Sequence, residues 1–180
     1  MIRFFGGRVM TLANGIETQD IEVWTEGSKI VFVGKPKAEE LDGKVFEREY
    51  DLKGNLLMPS FKNAHTHSAM TFLRSYADDM PLQDWLFKQI FPMEAKLDGE
   101  KVYWLTKLAI LEYLTTGCTA TFDMYFELDD YVKACIESGF RSVLCGAVSG
   151  DKSNLERLEN NYLKYNGKDP LISFMLGFHA

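Results

Sequence analysis

Two of the chain's three histidines, His65 and His67, stand two residues apart, directly after the short apolar run Leu56-Leu57-Met58. On a β-strand, side chains at i and i+2 leave the same face, so both imidazoles can aim at one point. Imidazole is a common protein ligand for zinc and similar ions, and two on one strand supply two corners of a coordination shell. A zinc site needs at least three protein ligands. The pair alone therefore also fits two strand-end histidines bonded to backbone or water. Asp123 and His179 follow later apolar runs in the same manner. Those four residues are the candidates for chemistry.

The elements that must position them read as two unlike halves. Up to residue 57 the chain is β-like, with runs at Ile2–Phe5, Arg8–Leu12, Asp20–Thr25, Lys29–Val33 and Val45–Asp51. Gly27-Ser28 suits a tight hairpin, because glycine adopts positive φ at little cost. Several short antiparallel strands of this kind suggest a small sandwich or barrel. From residue 58 strands and helices alternate. A short helix is expected over Leu82–Ile90, after Pro81. Asp98 can cap a long helix running to Thr116, with Gly117 as its left-handed stop. Trp104, Leu108 and Leu111 fall on one stripe of that helix, flanked by Leu105 and Leu114, and are expected to cover a sheet. Thr119–Met124 reads as a strand, Leu128–Ser138 as a helix stopped by Gly139, and Arg141–Val148 as a strand. Ser153-Asn154-Leu155-Glu156 is a capping box opening a helix to about Tyr165. Leu171–Leu176 is the fourth strand, leading to His179.

This β-α-β-α-β-α-β order with short connections implies right-handed parallel crossovers. Four such strands fit half of a (β/α)8 barrel or an open doubly wound sheet. No Gly-x-Gly-x-x-Gly or phosphate loop follows a strand, which weighs against a nucleotide-binding Rossmann sheet. Barrel enzymes keep their chemistry at strand C-terminal ends, where His65, His67, Asp123 and His179 would lie.

Composition sets outer bounds. The 180 residues are 46% apolar and 26% charged, ordinary for a globular protein. A formal charge of −6 gives no net positive field to attract phosphates, so a general nucleic-acid binder is not expected. Charges and glycines interrupt the apolar runs short of the ~20 residues needed to span a bilayer. No signal-peptide core follows Met1-Ile2-Arg3-Phe4. Cys118, Cys135 and Cys145 are scattered in apolar surroundings, as buried thiols of a reducing compartment would be. The expected location is cytoplasmic.

The run Leu57-Met58-Pro59…Asn63-Ala64-His65-Thr66-His67 resembles the first-strand signature of the metal-dependent amidohydrolase superfamily. So does a β-rich N-terminal segment leading into a barrel. A second stretch is Leu73-Arg74-Ser75-Tyr76-Ala77-Asp78-Asp79-Met80-Pro81-Leu82, continuing through Trp85-Leu86 to Ile90-Phe91-Pro92-Met93-Glu94. It resembles one branch, the S-adenosylhomocysteine/5′-methylthioadenosine deaminases and related chlorohydrolases. The match covers essentially the whole chain.

The resemblance implies an α/β fold: part of a (β/α)8 TIM-type barrel over residues 58–180, preceded by part of a small β-sandwich domain over 1–57. It implies a hydrolytic deaminase of adenine nucleosides that releases ammonia, with a divalent metal, Zn2+ first and Fe2+ as the alternative. Guanine deamination, triazine dechlorination and a non-catalytic scaffold are the competing readings. His65 and His67 match metal ligands. Trp85 and Glu94 match positions lining the nucleoside pocket, Glu94 accepting from the ribose hydroxyls; a core plug and a solvated helix residue are their plainer roles. His179 matches a histidine contacting substrate near the metal. Arg141 matches, loosely, an arginine near the substrate's amino-acid tail, and equally a strand-end surface charge. Asp123 has a bracing role as its plain alternative; Asp78 and Asp79 look like a second metal-binding pair, but adjacent loop residues rarely converge, which favours a turn or cap role. A third metal histidine, a catalytic glutamate, a further histidine and a late aspartate of the family have no counterparts in the 180 residues. The segment is therefore expected to be the N-terminal portion of an enzyme, inactive alone, needing its missing C-terminal half or self-association. The expected partner of the site is a small nucleoside, with neither nucleic acid nor membrane involved.

Overall fold

The computed structural model describes all residues of the chain except 14, 127, 149–151 and 179–180. It divides into two compact units, Met1–Pro59 and Ser60–Ala180. The first holds seven strands: β1 (Ile2–Phe5), β2 (Arg8–Met10), β3 (Thr18–Gln19), β4 (Glu22–Glu26), β5 (Lys29–Gly34), β6 (Arg48–Asp51) and β7 (Leu56–Leu57), with the short helix α1 (Ala38–Leu41) between β5 and β6. They form a four-stranded sheet in the order β5-β4-β1-β6 and a three-stranded sheet in the order β3-β2-β7, both mixed rather than antiparallel as expected, because β1 pairs with β6 and β2 with β7 in parallel. The β4–β5 hairpin turns at Gly27, whose φ of 55° suits a two-residue loop. The run expected to reach Leu12 stops at Met10, since Leu12 itself turns into positive φ. Trp24 is buried against Phe32, with ring centroids 4.1 Å apart, and Phe46 meets it edge-on at 5.2 Å. Beside it Arg3 holds Glu22 through two N–H···O bonds of 2.7 Å.

The second unit alternates strand and helix: β8 (Phe61–Thr66), α2 (Leu82–Asp84), α3 (Phe91–Glu94), α4 (Gly99–Thr115), β9 (Cys118–Asp123), α5 (Leu128–Glu137), β10 (Arg141–Val148), α6 (Lys152–Tyr165) and β11 (Ile172–Phe178). The four strands lie in the order β11-β10-β9-β8, every neighbouring pair parallel. Sequential parallel strands joined by helices are what the alternating pattern called for. Tyr131, Phe140, Leu144 and Phe174 are buried between sheet and helices. Cys118, Cys135 and Cys145 are all buried and free, and burial pushes the Cys135 thiol up to about 12. Among the described residues no helix is long and apolar enough to cross a membrane.

Three local readings are corrected. The helix expected over Leu82–Ile90 continues to Glu94, with a π-helical turn at Trp85–Ile90 between α2 and α3. Pro92 lacks an N–H and its ring crowds the carbonyl four residues back, and the wider turn before it relieves that conflict. Ser153 lies inside α6, which begins at Lys152, so it is not the residue before the helix. On α4 the apolar stripe faces the wrong way. Trp104 and Leu111 are each 60% exposed, whereas Val102, Thr106, Ala109 and Ile110 are buried. Apolar residues surround most of this helix, so periodicity could not select its inner face. The small side chains of Thr106 and Ala109 allow close packing there. Its ends are as expected: the Asp98 carboxylate accepts from the Lys101 N–H at 3.0 Å, and Gly117 takes φ 81°.

Candidate functional site

Parallel β8 and β9 end side by side, with Thr66 in register with Asp123. His65 is the penultimate residue of β8, and His67 follows the strand as the residue preceding a 3₁₀ helix over Ser68–Leu73. Their ring centroids are 5.2 Å apart and nearly perpendicular. The His67 Nδ1 donates to the Met124 carbonyl at 2.6 Å. That bond puts the proton on Nδ1 and the ring's lone pair on Nε2, the arrangement that a backbone carbonyl or carboxylate behind the ring gives metal-binding histidines. The pair is thus chemically fit to hold a divalent ion. Among the described residues no group of three or more His, Cys, Asp or Glu is placed to complete such a site.

Asp123 is buried, and its carboxylate accepts from the Ser68 backbone N–H at 3.2 Å and from the Ser68 hydroxyl. Burial pushes its carboxyl up, against the opposing pull of the Ser68 hydroxyl. Tyr113 of α4 extends this network, with its hydroxyl 2.6 Å from Thr66 Oγ1 and 3.0 Å from Ser68 Oγ. With Asp123 ionised the protons have one consistent order. Ser68 spends its proton on Asp123, so it must accept from Tyr113, which in turn accepts from Thr66. Asp123 therefore braces the turn that carries His67.

Glu94 ends α3 and is half-buried. Its Oε1 accepts a 2.8 Å bond from the hydroxyl of Tyr125, two residues beyond the end of β9. Burial first, and the Glu94 carboxylate second, hold the Tyr125 phenol well above its usual range. Trp85 is half-buried and lines a cavity of about 360 Å³ together with His67, Ser68, Tyr113 and the Arg74–Glu112 ion pair. Neither His65 nor Glu94 lines that cavity, which lies against α4.

Arg141 is not brought to this place. It opens β10 in register with Ala120, while Asp123 is in register with Leu144, three residues further along. That puts Arg141 about 10 Å away, toward the N-terminal end of the strands. There its guanidinium donates to the Pro170 carbonyl at 2.7 Å. His179 lies outside the described residues; β11 runs parallel to β10 as far as Phe178. Asp78 and Asp79 are exposed, and Asp79 sits at φ 58°, a turn conformation. Ser68, Tyr113 and Tyr125 were not singled out from sequence. Their partners lie 31 to 55 residues away, a separation no local pattern records.

A parallel β/α sheet with a strand-end histidine pair defines a class, and comparison supplies the family. Residues 56–169 match the model of the amidohydrolase family, and the chain belongs to it. The chain is 42% identical over 164 residues, 88% of its length, to a 5-methylthioadenosine/S-adenosylhomocysteine deaminase of Desulfitobacterium hafniense. It spans 38% of that relative's length. An adenosine deaminase from Xanthomonas campestris with bound zinc superposes on 97% of the chain with a TM-score of 0.85 and 30% identity. The chain covers 42% of that protein. An atrazine chlorohydrolase from Arthrobacter aurescens, complexed with zinc, shares the fold with a TM-score of 0.80 at 20% identity, over 98% of this chain and 46% of its own.

Proposed function

We propose that this chain is the N-terminal portion of a metal-dependent hydrolytic deaminase of adenine nucleosides, of the 5′-methylthioadenosine/S-adenosylhomocysteine type. One observation carries the reading: a strand-end histidine pair, one member oriented by a backbone carbonyl, in a chain 42% identical to a deaminase of that name. Residues 1–57 contribute to a small β domain and residues 58–180 form the first half of a (β/α)8 barrel. The edge strand β11 leaves Met175 and Leu176 exposed, which supports a sheet continued by further chain or by a second copy. The enzyme works in the cytoplasm on a small nucleoside.

His65 and His67 would hold the ion, zinc in first place and Fe2+ as the alternative. When bound, such an ion supplies a water acidic enough to furnish hydroxide near neutral pH. The protein's own residues do the rest of what can be derived. The Met124 carbonyl keeps His67 in the Nδ1–H tautomer, and Asp123 fixes the turn behind it through Ser68. Glu94, at the same end of the sheet, accepts from the ribose hydroxyls, and Trp85 packs against the nucleoside, which holds the amine-bearing ring carbon in register for attack. His179 would contact the substrate near the metal if it keeps the role that the family resemblance implies. Arg141, tied to Pro170, is left a structural role.

Ammonia release from 5′-methylthioadenosine or guanine, and chloride release from a chlorinated triazine, measured with the complete gene product, test the reading. The nucleoside should be turned over fastest. Glu94→Gln should lower the preference for the ribosyl substrate over free adenine, because an amide accepts on one oxygen where a carboxylate accepts on two. An unchanged preference, or a faster reaction with guanine or the triazine, would overturn it.

A further inference from the structure

We propose that Tyr125 is a positioning residue that fixes the Glu94 carboxylate and thereby sets the preference for substrates with free ribose hydroxyls. The inference rests on the reading of Glu94 as the ribose-binding group. Glu94 needs an external anchor. It is the last residue of the helical run from Leu82, beyond a π-helical turn, and is half-buried at that end. The Tyr125 hydroxyl supplies that anchor with a 2.8 Å bond to Oε1. The donor is itself held, because its ring is half-buried and stacks on Phe126 with centroids 4.3 Å apart and planes 21° apart. A phenol held well above its usual range stays protonated, and so remains a donor, at neutral pH.

The placement of Tyr125 matters as much as its bond. Three consecutive residues at the end of β9 each restrain a different part of the site. Asp123 takes the Ser68 N–H behind the histidines, Met124 takes the His67 imidazole, and Tyr125 holds Glu94. One strand tip therefore fixes the spacing between a metal-ligating imidazole and the carboxylate that grips the sugar. A carboxylate has two oxygens with about four acceptor sites, and Tyr125 occupies one. Enough remain for the vicinal 2′ and 3′ hydroxyls.

The test compares KM and kcat of the complete gene product for 5′-methylthioadenosine and for its 2′,3′-dideoxy counterpart. Tyr125→Phe keeps the ring stack and removes only the hydroxyl. It should raise KM for the ribosyl substrate about tenfold, the size of one lost hydrogen bond to a charged group, while kcat and the dideoxy KM stay within about twofold. In a Glu94→Gln background the same substitution should add less than about twofold, since its effect runs through the carboxylate. Equal KM changes for both substrates, no change for either, or fully multiplicative effects with Glu94→Gln would overturn the role of Tyr125. A Glu94→Gln variant that leaves the ribosyl-to-dideoxy ratio unchanged would overturn the ribose reading and this inference with it. An effective Glu94→Gln beside a silent Tyr125→Phe overturns this inference alone.

Discussion

Replacing Tyr113 with Phe removes one oxygen atom from the centre of the brace behind His67. The ring stays, stacked on Phe140 at 5.7 Å, so packing is preserved and only hydrogen bonding changes. Two bonds are lost, one received from Thr66 at 2.6 Å and one given to Ser68 at 3.0 Å. A net hydrogen bond between neutral groups contributes about 0.5–1.5 kcal/mol. Thr66 can turn to water, whereas Ser68 is buried and keeps only Asp123 as partner. The expected loss is therefore about 1–2 kcal/mol, a fall in Tm of roughly 2–8 °C for a chain of this size. Thermal unfolding followed by circular dichroism measures it. Ser68→Ala should cost more, because it strips a donor from a buried carboxylate, and the double variant should lose clearly less than the sum. A Tyr113→Phe chain as stable as the parent, or strictly additive losses, would refute the directed chain Thr66–Tyr113–Ser68–Asp123.

Three further outcomes follow from other parts of the molecule. Ile110→Ala should cost about 2–5 kcal/mol and Trp104→Ala less than about 0.5 kcal/mol, because Ile110 is 3% and Trp104 60% exposed; the reverse order would mean that α4 packs through its other face. Arg3 holds the Glu22 carboxyl below its ordinary value, so the pair stabilises fully above the unfolded carboxylate value near 4.5 and loses that contribution as pH falls through the depressed one. Glu22→Gln should destabilise by about 1–2 kcal/mol near neutral pH and flatten the acid limb of a stability–pH curve; an unchanged acid limb would contradict the pairing. Gly146→Ala would place a methyl 2.0 Å from Leu158 Cδ2 and 2.8 Å from Phe174 Cζ, and should cost about 1–3 kcal/mol in chemical denaturation; a neutral result would contradict the packing of α6 on β10.

Much of this was legible in the sequence where local chemistry decides the outcome. The Asp98 cap, the Gly117 and Gly139 stops and the strand Arg141–Val148 each follow from one or two residues, and each is found in place. The histidine pair was legible for the same reason, since a spacing of two at a strand end is a local fact. What sequence could not give depends on partners far along the chain. The buried face of α4 is chosen by the fit of Thr106 and Ala109 against the core, and its outer residues are just as apolar. The roles of Tyr113 and Tyr125 exist only once helix and strand tip meet. Of the two roles read for Arg141, the strand-end charge is the one its register favours, at the far end of β10 from the histidines. The helix expected to end at Ile90 instead passes through a π-helical turn and continues beyond Pro92 to Glu94, which no local signal before Pro92 records.

The zinc content of the complete gene product, measured by elemental analysis beside His65→Ala and His67→Ala variants of matched fold, tests whether the end of β8 is a metal centre. The proposed function predicts about one bound ion per chain for the parent protein and a loss to background in both variants, the His67 variant failing although Met124 and Ser68 are untouched. Parent-level zinc in either variant would contradict the assignment of that histidine, and no bound divalent metal in the parent would contradict the metal centre altogether.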